Sequence, residues 1–169
     1  MEAATSYPNE GNSYNTLSKQ PGTYAPSGIV FDVLESYPDT QLALRLWNVY
    51  IESVDPVLKI LHIPTAQFIV VATILDPRTA PSSAVALTFA IFFAAVTALC
   101  HDKNNERFGL PYEKSILLKR YKESLDRLLL VTDLMNRPEL TALQALAIYV
   151  VSNEDCLGID IVPLLGWFI

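Results

Sequence analysis

After Pro38, apolar residues return along most of this chain at three- and four-residue steps. Leu42, Leu46, Val49, Tyr50 and Val54 form one helix face behind Asp39, a good N-cap. Asp55-Pro56 reads as a restart, with Asp as the cap and Pro in the first helical position. It predicts a short helix over Val57–Leu61 that stops before Pro64. Pro64-Thr65 opens a third helix, Ala66–Leu75, which ends before Pro77. Its run Phe68-Ile69-Val70-Val71 also fits a buried strand, but nothing nearby looks like a strand partner, so helix is preferred. Ser82 or Ser83 is the expected cap of a fourth helix, Ala84–His101. Pro111 opens a fifth, with Leu117, Leu118, Tyr121, Leu125, Leu128 and Leu129 on one side and Lys114, Lys119, Lys122 and Glu123 on the other. Pro138-Glu139 opens a sixth that runs to about Val151. There is no hairpin signal, no βαβ alternation and no internal repeat. The expected fold class is all-α, a multi-helix domain of about six helices.

Residues 1–37 read differently. Ser, Asn, Gly, Pro, Thr and Tyr dominate, and Ser6 to Pro26 has almost no aliphatic residue. Such a segment buries too little surface to offset its ordering entropy, so it is expected to be disordered or loosely ordered. One apolar island, Ile29-Val30-Phe31 with Val33 and Leu34, is expected to dock on the helical domain of residues 38–169. The closing run Leu164-Leu165-Gly166-Trp167-Phe168-Ile169 is apolar and aromatic, where termini usually lie in water. It reads as the start of a helix whose packing partners lie in further sequence.

The 169 residues suit one domain, and 51% are hydrophobic. Mean hydropathy of +0.28 is high for a soluble protein and leaves two readings, a domain of mostly buried helices or a membrane segment. Net charge is -6. A free-standing nucleic-acid binder carries a basic face, so this balance argues against direct DNA contact. Cys100 and Cys156 permit one disulfide, but the polar stretch Met1–Gln20 is no signal peptide, and a reduced intracellular protein is the better reading.

Candidate chemistry is sparse. Cys100-His101, His62 and Cys156 show no zinc-ligand spacing, and adjacent helical residues point apart. Cys100 reads as a small buried hydrophobe at a helix end. Neither histidine has a nucleophile and an acid in a recognisable arrangement, and no G-x-S-x-G, P-loop or G-x-G-x-x-G occurs. His62, at a helix stop, is expected to satisfy backbone carbonyls there. Glu52 with Asp55 falls at a helix end and cap, where acids serve structure, and Glu154-Asp155 is expected in a loop. Lys114, Lys119, Arg120, Lys122 and Arg127 are interleaved with Glu113, Glu123 and Asp126, so they read as a solvated helix face with i,i+4 partners. No catalytic, metal, cofactor-binding or DNA-binding residue is assigned.

The strongest rival signal is Ala84 to Cys100, a run of 17 residues without charge. That length is the lower limit for a membrane span. The run is Ala-rich, lacks an aromatic belt and has charged residues at one end only. A helix apolar all round also serves as the centre of a bundle.

The segment Leu46 to Thr65, LWNVYIESVDPVLKILHIPT, settles the preference. It resembles the opening of the fungal-specific transcription factor domain, the middle regulatory domain of fungal zinc-cluster transcription factors. The matching positions are Trp47, Tyr50, Asp55, Pro56, Lys59, His62, Pro64 and Thr65. Further likenesses follow in the family's order: Leu87-Thr88-Phe89-Ala90-Ile91, then Phe108-Gly109 with Leu117, Leu118 and Tyr121, then Leu143-Gln144-Ala145-Leu146 with Tyr149, and last Leu164-Leu165-Gly166. The resemblance covers about residues 38 to 169, without the family's zinc cluster or its later helices.

The resemblance implies a nuclear, helical, non-enzymatic regulatory domain that restrains or relays activation, in a family of which many members control secondary-metabolite gene clusters. Zinc and promoter DNA would be held by a six-cysteine cluster that these residues do not contain, so no ligand is carried over. Partners would be another protein, or a second copy through exposed apolar helices. The alternative is a small membrane-associated protein anchored by residues 84–100. By itself the chain is expected to bind neither zinc nor duplex DNA, since it lacks the ligand set and repels phosphate. Elemental analysis and a gel-shift assay at physiological salt check this; stoichiometric zinc or a sequence-specific shift would overturn it.

Overall fold

A computed structural model describes residues 32–101, 110, 113–132, 134 and 138–156, with the side chains of 100, 101 and 154–156 left aside. Among the described residues there are six α-helices and no strand. Pro111, the island Ile29-Val30-Phe31, most of the N-terminal segment and the closing apolar run lie outside them.

Helix α1, Thr40–Val49, starts as expected at Asp39, whose carboxylate accepts the Leu42 N–H at 3.0 Å. Such a cap is worth about 1 kcal/mol. Leu42, Leu46 and Val49 turn inward together with Ala43 and Trp47. The chain does not then break and restart. It widens into one π-helical turn, Tyr50–Val54, and continues as α2, Asp55–Leu58. The cause is Pro56, which lacks an N–H and clashes with the carbonyl four residues back in a regular helix. The widened turn accommodates it, with the Asp55 N–H donating to Tyr50 O. Asp55 is therefore no cap, and the short helix begins two residues before the expected Val57. It ends at Lys59, in the left-handed region at φ 49° and ψ 33°. A residue with a Cβ is held there at a cost on the order of 1–2 kcal/mol.

Helix α3, Ile63–Leu75, carries Pro64 in its first turn, and the His62 carbonyl accepts the Thr65 and Ala66 N–H groups at 3.0 and 2.9 Å. The run that also fitted a strand is helical. Helix α4, Ser82–His101, begins earlier than expected. Pro81 O accepts the N–H groups of Ala84 and Val85 at 3.0 and 3.1 Å, so Ser82 and Ser83 lie inside the first turn rather than capping it. Helix α5, Lys114–Val131, buries Leu117, Tyr121, Leu125 and Leu128, with Leu118 and Leu129 partly covered. Helix α6, Leu140–Cys156, outruns its expected end at Val151, so Glu154 and Asp155 are helical rather than in a loop.

Helix α4 is the centre. From Val85 to Val96 no side chain is more than 2% exposed, and α1, the π turn, α3, α5 and α6 all pack on it. Its polar side chains bond along their own helix, Thr88 to Ala84 O at 2.8 Å and Thr97 to Phe93 O at 2.9 Å. Val33 is buried against the core, with Leu34 and Tyr37 packed beside it. Tyr37 meets Phe89 edge-on at 5.3 Å between ring centres and Phe92 at 5.6 Å.

Trp47 is 3% exposed and stacks on Tyr50 at 5.9 Å with an interplanar angle of 8°. Trp47→Ala should cost roughly 3–5 kcal/mol of stability, read by chemical denaturation. A variant that unfolds at the parent's denaturant midpoint would contradict this packing.

Candidate functional site

The motif of Trp47 to Thr65 forms one continuous structure: the end of α1, the π turn, α2 and the entry to α3. Trp47 and Tyr50 are its buried anchor. Asp55 is 5% exposed, and one of its oxygens pairs with Lys59 Nζ at 3.1 Å. Its other oxygen and the Tyr50 hydroxyl have no hydrogen-bond partner among the described residues. Burial, with the nearby Asp55 carboxylate adding to it, pushes the Tyr50 phenol well above the ordinary tyrosine range. Pro56 is exposed on α2, and Pro64 is exposed at the start of α3.

His62 does not use its ring on backbone carbonyls. Its Nδ1 shares a hydrogen bond with Thr65 Oγ1 at 2.9 Å, at the surface, while its own carbonyl caps α3. Gln144, distant in sequence, reaches this segment: its Nε2 donates to Ile60 O at 3.4 Å. Leu143 points elsewhere and is 43% exposed.

Two further features escape the sequence reading. The basic cluster on α5 is more than a solvated face. Lys114 Nζ donates to Leu99 O at 2.7 Å, tying α5 to the end of α4. Lys122 Nζ donates to the Tyr149 hydroxyl and to Asn153 Oδ1 at 3.2 Å, and lies 4.9 Å from the Tyr149 ring centre. Tyr149 in turn donates to Asp126 Oδ1 at 2.6 Å. This network clamps α5 to α6. Its only sequence signal is the matched i,i+4 spacing of Lys122 with Asp126 and of Tyr149 with Asn153. The second feature is a buried aromatic box of Tyr37, Phe89, Phe92 and Tyr121, in which the Tyr121 hydroxyl has no partner among the described residues. Burial raises both phenols.

Among the described residues no three His, Cys, Asp or Glu side chains gather as metal ligands. The motif therefore offers an architecture of packing and capping.

Three relatives show what kind of protein this chain is similar to. The aurofusarin cluster transcription factor aurR2 of Gibberella zeae is 35% identical over 129 residues, 76% of this chain and 19% of that protein. The C6 finger domain transcription factor nscR of Arthroderma gypseum is 32% identical over 136 residues, 79% of this chain and 19% of that protein. The homologues of this chain are fungal C6 zinc-cluster transcription factors. The pyriculol/pyriculariol biosynthesis cluster transcription factor 1 of Pyricularia oryzae adds 30% identity over 122 residues, 72% of this chain and 16% of that protein. The chain thus spans about a fifth of the length of the zinc-cluster regulators it matches. No protein-family model matches the chain, and no solved structure matches it significantly. The named relatives are transcription factors rather than enzymes. The membrane alternative gains no support. One described helix is long and apolar enough to cross a membrane, at Ser82–Leu99, and 89% of that stretch is buried inside the bundle.

The three buried phenols make stability fall at high pH. Each holds its proton more tightly folded than unfolded, where the pKa is about 10. Above that value the unfolded chain binds fewer protons than the native one, so unfolding becomes favoured as pH rises. Tyrosinate absorbance from Tyr37, Tyr50 and Tyr121 should therefore appear only well above pH 10, together with loss of helical circular dichroism. Ionisation of all tyrosines in one stage near pH 10 would contradict their burial.

Proposed function

We propose that this chain is the regulatory, non-DNA-contacting part of a transcription regulator of the zinc-cluster type, acting in the nucleus on a secondary-metabolite gene cluster. It performs no catalysis and works through protein contacts. The observation that carries this reading is the match of about three quarters of the chain to regulators named for the aurofusarin and pyriculol clusters. The physical character of the molecule supports it. The motif's polar groups cap and clamp helices, and the net charge of -6 disfavours phosphate. Contact with promoter DNA would belong to a six-cysteine zinc cluster, and these residues hold two cysteines.

Tethering tests the role directly. The chain fused to a heterologous DNA-binding domain, in a filamentous fungal host, should change output from a matching reporter relative to that domain alone. Tyr121→Asp, which places a charge in the aromatic box, should abolish the change while the fusion still occupies its site. Reporter output identical with and without the wild-type chain would sink the proposal.

A further inference from the structure

Helices α4 and α6 lie side by side, run in the same direction and keep a constant register. At their first turns Ala84 and Thr141 line one cleft. Further along, Phe93 meets Tyr149 edge-on at 5.7 Å between ring centres. The sequence separation of these two pairs differs by a single residue, as parallel helices in step require. Cys100 follows Phe93 by seven residues, and Cys156 follows Tyr149 by seven. Seven residues make two helical turns to within about 20°. Both cysteine positions therefore continue the line of the two rings and stand at one level. Cys100 is the penultimate residue of α4 and Cys156 the last of α6.

Two ties from α5 fix these ends. Lys114 Nζ donates to Leu99 O, next to Cys100, and Lys122 Nζ donates to Asn153 Oδ1, three residues before Cys156. The strip along which the helices meet is built of small groups. Ala86, Ala90 and Thr97 are buried at helical spacing from Phe93, and Ala142, Ala145 and Ser152 at the same spacing from Tyr149. Small side chains let helix backbones come close, and a disulfide needs Cα atoms within about 7 Å. The chain has two cysteines, and the fold brings them to one level.

We infer that Cys100 and Cys156 are a redox pair: thiols in the resting protein, joined by a disulfide that locks α6 to the central helix when a hydroperoxide is present. One sulfur attacks the peroxide, its O–O bond breaks, and a sulfenic acid forms while the other oxygen leaves as water or alcohol. The second thiol attacks that sulfur, the S–S bond forms, and the sulfenic oxygen leaves as water. The two thiols lose two electrons and the peroxide takes them. A thiol reductant reverses the bond by exchange. The closed loop contains the whole of α5, so oxidation fixes α4, α5 and α6 against one another.

The test uses the full chain and is separate from the reporter. Treated with hydrogen peroxide under native conditions, the purified protein should lose both free thiols and run as a faster monomer on a non-reducing gel. Mass spectrometry should find the Cys100 and Cys156 peptides linked. The melting temperature should rise, because closing a long loop restricts the unfolded chain, and reductant should restore the first value. Cys156→Ser should melt with the reduced parent and show no rise after peroxide. Cys100→Ser combined with Ala98→Cys moves one thiol about 200° round α4, and should slow closure about tenfold or more. Cysteines linked between two copies overturn the inference. So do sulfenic acids that stay unresolved in the monomer, or a shifted pair that closes as fast as the parent.

Discussion

Everything in this fold answers to one constraint: α4 has no side that tolerates water. Phe89 and Phe92 meet Tyr37 and Tyr121, Phe93 meets Tyr149, and Leu87, Ile91 and Leu99 are buried with them. Burying each such side chain is worth roughly 1.5–3 kcal/mol. At 20 residues the helix is about 30 Å long, enough for the other elements to lie along it. The outer helices accordingly turn their apolar faces to α4, and their remaining polar groups are used to fix position. Lys114 reaches the last turn of α4, Lys122 ties α5 to α6, and Gln144 ties α6 to the loop before α3. These bonds contribute little each, about 0.5–1.5 kcal/mol, but they decide which of several similar packings is adopted.

The motif at Trp47 to Thr65 solves a local problem set by that centre. The chain must leave α1, turn, and return as α3 on the same core. Pro56 forces the π turn, and the left-handed Lys59 redirects the backbone four residues after Asp55. Asp55 and Lys59 form the ion pair that spans α2. An Asp at position 55 therefore acts on the bend itself, while its second, buried carboxylate oxygen has no partner among the described residues.

Much of this was legible beforehand. Helical periodicity placed all six helices, and Asp39 and Pro64 marked two starts correctly, because caps and prolines act within one turn. The misreadings share a cause: the deciding interaction was non-local or depended on geometry that spacing alone does not show. Asp55-Pro56 looked like a cap and restart, since a π turn and an αL lysine have no sequence signature. Glu154 and Asp155 are expected in a loop because the sixth helix is expected to end near Val151, whereas it runs on to Cys156. Lys122 looked solvated because its partners, Tyr149 and Asn153, sit on another helix. The structure strings Trp47, Tyr50, Asp55, Lys59, His62 and Thr65 along one continuous segment to which Gln144 bonds at Ile60, while Leu143 stays apart.

Helices α3 and α4 make the sharpest comparison. Both lack charge throughout the helical segment up to the last turn, and both pass for interior on composition. One is enclosed and the other keeps an outward apolar side. The difference lies in what surrounds them, since α5 and α6 flank α4 while α3 sits at the margin against α1 and α4. Natural surfaces normally place charge at such positions, because exposed phenylalanine and leucine promote association. Ordinary solubility does not account for Phe68, Val71, Ala72 and Leu75 on one uncharged stripe. The core explains how the chain folds, whereas the α3 face is the part of the molecule that folding alone leaves unexplained.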